Sequence, residues 1–168
     1  MLEDSIINFI LDHEGEEYVN DPNDPGGETK WGISKKAFPD LDIRSITKDM
    51  AAEIYKKNYW YPQLNKKLSA VICDAAVNCG PSRAISWLQM VINKYIEPSS
   101  GGKLAIDGKL GPQTIAASNI FDENKLILCF NSLRIKYYLL IGNGNKSKFL
   151  NGWLNRVADL QILIALER

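Results

Sequence analysis

The chain has 168 residues, enough to bury roughly 70% of its unfolded surface without disulfides or metal ions. Its 20 acidic and 20 basic residues cancel, so the overall charge gives no indication of a nucleic-acid partner. Cys73, Cys79 and Cys129 are an odd number without framework spacing, which predicts reduced thiols buried in apolar helical surroundings. With His13 as the only histidine, we expect no Cys/His zinc site, and no other metal or cofactor.

No segment has the ~18 consecutive apolar residues that a membrane-spanning helix needs, so we expect no membrane insertion. The first five residues, MLEDS, are acidic and lack the basic and apolar regions of a signal peptide. These features predict a protein that is synthesised in the cytoplasm in soluble form, and we expect a monomer.

The first predicted helix covers residues 3–12 and ends before Gly15, a residue that favours helix termination. Its apolar face consists of Ile6, Ile7, Ile10 and Leu11. Glu14 is therefore expected at the helix C-terminus, at the mouth of a loop. Two Asp-Pro pairs and the pair Gly26-Gly27 predict that the next dozen residues are irregular.

The position of Glu14 predicts acid chemistry. A carboxylate near the negative end of the helix dipole is disfavoured in its ionised form, and apolar neighbours such as Tyr18 and Trp31 would add to this effect. A carboxyl group that keeps its proton is what protonation of a leaving oxygen requires. With a second carboxylate, a hydroxyl and a water nearby, Glu14 would complete a glycosidase site. The alternative is that Glu14 is only a solvated residue at a helix end.

Residues 35–38 are predicted to form one helical turn, and Thr47 is predicted to cap a helix that ends near Asn58. The aromatic cluster that follows includes Tyr59 and Trp60. Such a cluster either stacks on sugar rings or serves as a hydrophobic plug.

Residues 68–78 are small and apolar and predict a central buried helix. Asp74 and Asn78 lie four residues apart on one face of this helix, where they either line the floor of a cleft or satisfy loop backbone. The pair Gly80-Pro81 predicts the end of this helix and the start of the next. A flexible loop is expected over residues 97–105.

Pro112 is predicted to open another helix, and Asp122 to cap the longest helix of the chain, which runs to about Ile141. Residues 147–154 and 156–167 indicate two further short helices or one kinked helix. Within them, Arg156 is expected to form a structural pair rather than to bind ligand.

The segment that begins at Glu14 reads Glu-Gly-x-x-Tyr, followed by Asn-Asp-Pro-x-Asp-Pro-Gly-Gly-x-Thr-x-x-Gly-Ile. It resembles the signature of glycoside hydrolase family 108, lysozyme-like N-acetylmuramidases found in phages, prophages and bacterial secretion loci. The resemblance implies an all-α, lysozyme-like fold with a catalytic loop after the first helix, and it implies that Glu14 is the catalytic acid. The chain departs from the motif at Glu16, where the family usually has glycine. The spacing to Thr29 resembles that of phage lysozymes with an intervening aspartate, for which Asp24 is the nearer match and Asp21 the rival.

A second resemblance lies downstream. Leu88-Gln89, followed by Asp107-Gly108-x-x-Gly-Pro-x-Thr, is similar to a pattern of peptidoglycan-binding modules. It implies a catalytic region at 1–80 and a helical peptidoglycan-binding-like region at 81–168, packed into one compact domain. Whether the second region grips the cell wall or supports the catalytic region stays open at this point.

Three functions are therefore considered. The first is an N-acetylmuramidase that cleaves the β-1,4 bond between N-acetylmuramic acid and N-acetylglucosamine in peptidoglycan strands. The others are a lytic transglycosylase and a non-catalytic wall-binding or secretion-assisting protein. An endolysin, a prophage remnant and a secretion activator are all compatible settings, with access to the periplasm or wall through a holin or another route. The predicted catalytic residues are Glu14, Asp24 and Thr29, and the predicted substrate-binding residues are Tyr18, Asp21, Trp31, Tyr59, Trp60 and Asn78.

Overall fold

The structure, a computed structural model, describes residues 1–21, 26–95, 102–143 and 147–167. Over these ranges the chain is all-α apart from one short hairpin, which confirms the predicted fold class. In chain order the elements are α1 (Leu2–Glu14), β1 (Thr29–Lys30), β2 (Ile33–Ser34), α2 (Lys48–Tyr59), α3 (Lys66–Cys79), α4 (Pro81–Tyr95), α5 (Pro112–Ile120), α6 (Glu123–Ile141) and α7 (Ser147–Leu166). None of the helices described in these ranges combines the length and the apolar character that a bilayer crossing needs.

The residues pack as two units, which we call the N-terminal unit (mainly Glu3–Asn58) and the C-terminal unit (mainly Tyr59–Arg168). In the N-terminal unit the predicted apolar face of α1 is buried, as are Ile33, Ile43 and Ile46. Thr47 caps α2 as predicted, because its Oγ1 accepts a hydrogen bond of 3.2 Å from the backbone N–H of Met50.

The loop after α1 is irregular over its described residues, as predicted, except for an isolated bridge that pairs Val19 with Thr29. A short hairpin follows it, in which β1 and β2 pair antiparallel with Thr29 opposite Ser34. This hairpin was not predicted from the sequence. The single helical turn predicted over 35–38 is present: the carbonyl oxygen of Ser34 accepts from the N–H groups of Ala37 and Phe38, and the second of these bonds spans four residues as in an α-helix.

The C-terminal unit is a helical bundle built around α3. Every residue of α3 from Leu68 to Ala76 is buried, and α3 packs against α4, α6 and α7. The predicted helix starts are correct in this unit: Pro81 begins α4, Pro112 begins α5, and the Asp122 side chain accepts from the Lys125 N–H at the start of α6.

Two expectations for this unit were wrong. The first is that α6 is the longest helix: the segment for which two short helices or one kinked helix were predicted forms the single helix α7, whose 20 residues exceed the 19 of α6. The burial of Val157, Leu160 and Ile164 along one face of α7 explains its continuity. The second is that all three cysteines are buried: none of them forms a disulfide, as predicted, but only Cys73 is fully buried.

Most of the loop predicted at 97–105 lies outside the described residues, since these exclude 96–101.

Candidate active site

The candidate acid is delivered by the last turn of α1. Glu14 is the final residue of this helix, and Gly15 follows with a φ of 80°, a left-handed conformation that glycine adopts without steric cost. The N–H of Gly15 donates to the carbonyl oxygen of Leu11 and closes the helix. The chain turns away at this point, so the Glu14 side chain is half-buried at the helix end, as predicted from the sequence.

The hairpin turn between β1 and β2 consists of Trp31 and Gly32. Both residues have positive φ, 54° and 69°, as in the type I′ turns that join two strands through a two-residue loop. Trp31 is the only residue other than glycine in this conformation within the described ranges. A bulky residue in this region carries strain that its surroundings must compensate.

The side chain of Glu14 lies directly over this turn. A Cβ atom added to Gly32 would be 2.9 Å from Oε2 of Glu14 and 3.1 Å from its Cγ. The same added atom would be 2.6 Å from the hydroxyl oxygen of Tyr55. The carboxyl group and the phenol are therefore on the same side of the turn, in space that opens only because residue 32 has no side chain.

Tyr55 comes from α2 and fixes the turn. Its hydroxyl donates a hydrogen bond of 2.9 Å to the carbonyl oxygen of Trp31, and its side chain is only 3% exposed. Tyr55 was not predicted as a site residue. Its place on the apolar face of a helix is also typical of an ordinary core residue, so no local signal distinguishes the two roles.

Trp31 packs into the core of the N-terminal unit. Its side chain is 7% exposed, and the ammonium group of Lys48 lies 5.9 Å from its ring centroid. Lys48 is in turn paired with Asp12 at 2.8 Å. Only this small exposed fraction of Trp31 is available for its predicted role in substrate binding.

The other predicted residues of the loop are held by local contacts. The Thr29 hydroxyl donates to the carbonyl oxygen of Gly27 at 3.3 Å, and the backbone of Thr29 pairs with Val19 on both its N–H and its C=O. Asp21 is exposed, whereas Asp24 lies outside the described residues. The structure thus places Thr29 in the strand that leads into the turn beside Glu14.

Tyr18 forms a polar cluster with two charged residues. Its hydroxyl donates a hydrogen bond of 2.7 Å to Oε1 of Glu28, and the Arg44 guanidinium lies 4.9 Å from its ring centroid. The hydrogen bond to Glu28 raises the pKa of Tyr18 above its ordinary value, because the carboxylate favours the protonated phenol. Neither Glu28 nor Arg44 was predicted as a neighbour of Tyr18.

The remaining predicted substrate-binding residues belong to the C-terminal unit. Tyr59 and Trp60 are half-buried. The side-chain oxygen of Asn78 accepts a hydrogen bond of 2.5 Å from the hydroxyl of Tyr138, which itself accepts one of 2.9 Å from Nε of Arg134. Burial raises the pKa of Tyr138, so this hydroxyl keeps its proton and its role as a donor to Asn78.

Asp74, the helical neighbour of Asn78, does not line a cleft. It is fully buried, with Oδ2 at 2.7 Å from Nη2 of Arg134 and Oδ1 at 2.8 Å from Nε of Arg156. Burial by itself would raise the pKa of Asp74, but the two guanidinium groups outweigh it and hold the pKa below its ordinary value of 3.8. Both alternatives considered for Asp74 were wrong, whereas the structural pairing predicted for Arg156 is confirmed.

The residues of the motif that resembles peptidoglycan-binding modules form hydrogen bonds with one another inside the C-terminal unit. The Gln89 amide donates to Oδ1 of Asp107 at 2.8 Å and accepts from the Gly108 N–H at 3.0 Å; it lies 3.3 Å from the Thr114 hydroxyl. A Cβ atom at Gly108 would clash with the Ser82 hydroxyl oxygen. These polar groups hold the turn at 107–108 against α4, so the motif supports the structure of its own unit.

No group of three or more metal-ligating side chains was found in the ranges that the structure describes. The groups that the structure brings together around Glu14 are its carboxyl group at a helix end, a two-residue hairpin turn and a buried phenol.

Comparison with known proteins defines the class. Residues 7–80 match the family model described as Glycosyl hydrolase 108, and residues 83–158 match the model described as Predicted Peptidoglycan domain. The matches support a catalytic region similar to glycosyl hydrolase 108, followed by a peptidoglycan-binding region. The chain is thus a glycoside hydrolase of the lysozyme type that acts on peptidoglycan.

Among solved structures, the chain is similar to SagA from Brucella abortus. The two share 28% sequence identity with a TM-score of 0.75, and the match covers 98% of this chain and 94% of that one. No curated protein matches the chain. The similarity to SagA therefore extends over both units, while the first family model crosses the boundary between them at Asn58.

Proposed function

We propose that this protein is an N-acetylmuramidase that hydrolyses the β-1,4 bond between N-acetylmuramic acid and N-acetylglucosamine, with Glu14 as the general acid. The observation that carries the proposal is the Glu14 carboxyl group held over the Trp31–Gly32 turn, in space that a side chain at residue 32 would fill. A carboxyl group with a fixed direction can meet the bridging oxygen of a bound glycan strand repeatedly in the same geometry.

In the proposed reaction, Glu14 donates its proton to the bridging oxygen while the bond from that oxygen to the anomeric carbon breaks. A water molecule adds to the anomeric carbon and gives one of its protons to a second carboxylate, so the products are a new reducing end and a free sugar hydroxyl. We assign the positioning of this water to the Thr29 hydroxyl and to either Asp24 or Asp21. Thr29 uses its proton on Gly27, which leaves the oxygen lone pairs to accept from water.

The test is a pair of matched substitutions assayed on purified peptidoglycan sacculi. Glu14→Gln should fold normally and lose about 10²–10⁴-fold in turnover, because the amide cannot donate the catalytic proton in the same way. Glu17→Gln removes a carboxylate from an exposed position of the same loop and should keep the parent turnover. Ordinary turnover by Glu14→Gln would overturn the assignment of the acid.

The products distinguish the proposed reaction from its alternatives. A muramidase releases fragments that end in reducing N-acetylmuramic acid, whereas a lytic transglycosylase releases 1,6-anhydro ends that lack one water. Mass analysis of the released fragments separates the two. A dominance of anhydro ends would contradict hydrolysis, and binding of sacculi without any release would identify a wall-binding protein.

A further inference from the structure

Tyr55 is buried at the point where the candidate acid meets the hairpin turn. Its hydroxyl donates to the carbonyl oxygen of Trp31, the residue whose positive φ makes the turn strained. A hydrogen bond from a buried phenol to a backbone carbonyl restricts the orientation of that peptide unit. The turn is therefore fixed by a contact from a different element, α2, and not by its own sequence alone.

The geometry at Gly32 connects this contact to the acid. The empty position where a Cβ would stand is 2.6 Å from the Tyr55 hydroxyl oxygen and 2.9 Å from Oε2 of Glu14. Both groups thus border one small space above the turn. A displacement of the turn would change this space and with it the surface against which the carboxyl group lies.

The geometry points to Tyr55 as a positioning residue for the reaction: its hydroxyl holds the Trp31–Gly32 turn in the conformation that fixes the direction of the Glu14 carboxyl group. This inference rests on the proposed function, in which Glu14 is the acid. Tyr55 acts through the turn and does not need to contact the substrate. Removal of its hydroxyl should therefore affect the chemical step more than the binding of glycan.

The critical variant is Tyr55→Phe, which removes one oxygen and keeps the ring in the core. We expect kcat to fall by about tenfold to a hundredfold, since a small misplacement of a catalytic group has effects of this size, while KM stays near the parent value. Turnover is normalised to the folded fraction, which is measured by urea unfolding of each variant. A role in stability alone would lower the unfolding midpoint and leave the normalised kcat unchanged.

Tyr137→Phe is the matched control. It also removes a tyrosine hydroxyl that takes part in a hydrogen bond, in this case with the side chain of Arg83. Tyr137 belongs to the C-terminal unit and is far in sequence from the loop. We expect its normalised kcat to equal that of the parent. A similar loss of kcat in both variants would overturn the assignment to Tyr55.

A double-mutant cycle with Gly32→Ala adds a second readout. The added methyl group would press on both Tyr55 and Glu14, so Gly32→Ala and Tyr55→Phe disturb the same placement. We expect their effects on log kcat to be clearly less than additive. Full additivity, or a parent-like kcat for Tyr55→Phe, would overturn the inference. The Glu14→Gln variant tests the proposed function separately: if it retains turnover, Glu14 is not the acid, whatever the result for Tyr55→Phe.

Discussion

Each of the two units contains a glycine with positive φ that faces side chains from another element. In the N-terminal unit, Gly32 faces a carboxyl group and a buried phenol; in the C-terminal unit, Gly108 faces Ser82 and Ser86 of α4. Both turns use a glycine with positive φ, but the side chains that face the two glycines differ. At Gly32 the space admits groups that can take part in chemistry, whereas at Gly108 it admits the hydroxyls of a packed helix. The comparison shows that the chemistry of a tight turn is determined by the element that packs on it.

The two units also differ in charge. Residues 1–58 contain 13 acidic and 7 basic residues, and residues 59–168 contain 7 acidic and 13 basic residues. The balance of the whole chain therefore conceals a surplus of six negative charges in the N-terminal unit and six positive charges in the C-terminal unit. Peptidoglycan stem peptides carry carboxylates, so a positive surplus favours the second unit for electrostatic attraction to the wall.

Buried charge is the third difference. The C-terminal unit encloses one carboxylate between two guanidinium groups, with Asp74 and Arg134 both fully buried. This ion-pair triad joins α3 to α6 and α7. Loss of one partner would leave buried charge uncompensated, which is far more costly than loss of an exposed pair.

The largest expected effect on stability is that of Asp74→Asn. It should lower the free energy of unfolding by about 3–5 kcal/mol, because two guanidinium groups would remain in the core without their anion. Asp159→Asn, at an exposed position of α7, is the control and should change stability by less than about 0.5 kcal/mol. Urea unfolding measures both. Equal stability of the two variants would show that the triad contributes nothing to this unit.

The two glycines should separate activity from stability. Gly108→Ala should lower the free energy of unfolding by about 1–3 kcal/mol through overpacking and leave normalised kcat unchanged. Gly32→Ala should have a stability cost of the same order, about 1–3 kcal/mol, and should in addition lower normalised kcat. Unfolding curves and turnover on sacculi are measured on the same preparations. If both variants lose kcat equally, the distinction between the two turns is wrong.

Local signals in the sequence predicted the helix boundaries well. Gly15, the pair Gly80-Pro81, Pro112 and Asp122 each act on their own few residues, and each stands where it was expected. The hairpin was missed because its strands have two residues each and its turn begins with Trp31 at a φ that tryptophan rarely adopts. No periodicity develops over so short a segment.

The site was predictable only in part, because its contacts join distant parts of the chain. Glu14 could be placed at a helix end from its neighbours alone. Its relation to Tyr55 depends on packing between elements, as does the pair of Asp74 with Arg156, which are separated by 82 positions in the sequence. Polar residues on a helix face carry no information about such partners until the fold brings them together.

Lowering the pH should reduce the contribution of the Asp74–Arg134–Arg156 triad to the free energy of unfolding. The pKa of Asp74 is lower in the folded protein than its ordinary value of 3.8, so its contribution to stability is fully present above that value and is lost as the pH falls through the folded-state pKa. The stability difference between the parent and Asp74→Asn should therefore be constant above about pH 5 and narrow as the pH falls from about 4 to about 2, with a slope of at most about 1.4 kcal/mol per pH unit. A difference that stays constant over this range would contradict the assignment.

The smallest expected effect concerns Lys66, an exposed residue in the first turn of α3. Cations are unfavourable at a helix N-terminus, so Lys66→Gln should raise the free energy of unfolding by about 0.3 kcal/mol.

If the positive surplus of the C-terminal unit attracts the wall, Lys66→Gln should also weaken the binding of the Glu14→Gln protein to sacculi, and the difference should disappear at high salt. Lys36→Gln, at an exposed position of the N-terminal unit, is the control. A cosedimentation assay at low and high salt measures both variants. Equal weakening by the two substitutions would assign the attraction to the net charge of the whole chain, because only a local effect depends on which unit loses the lysine.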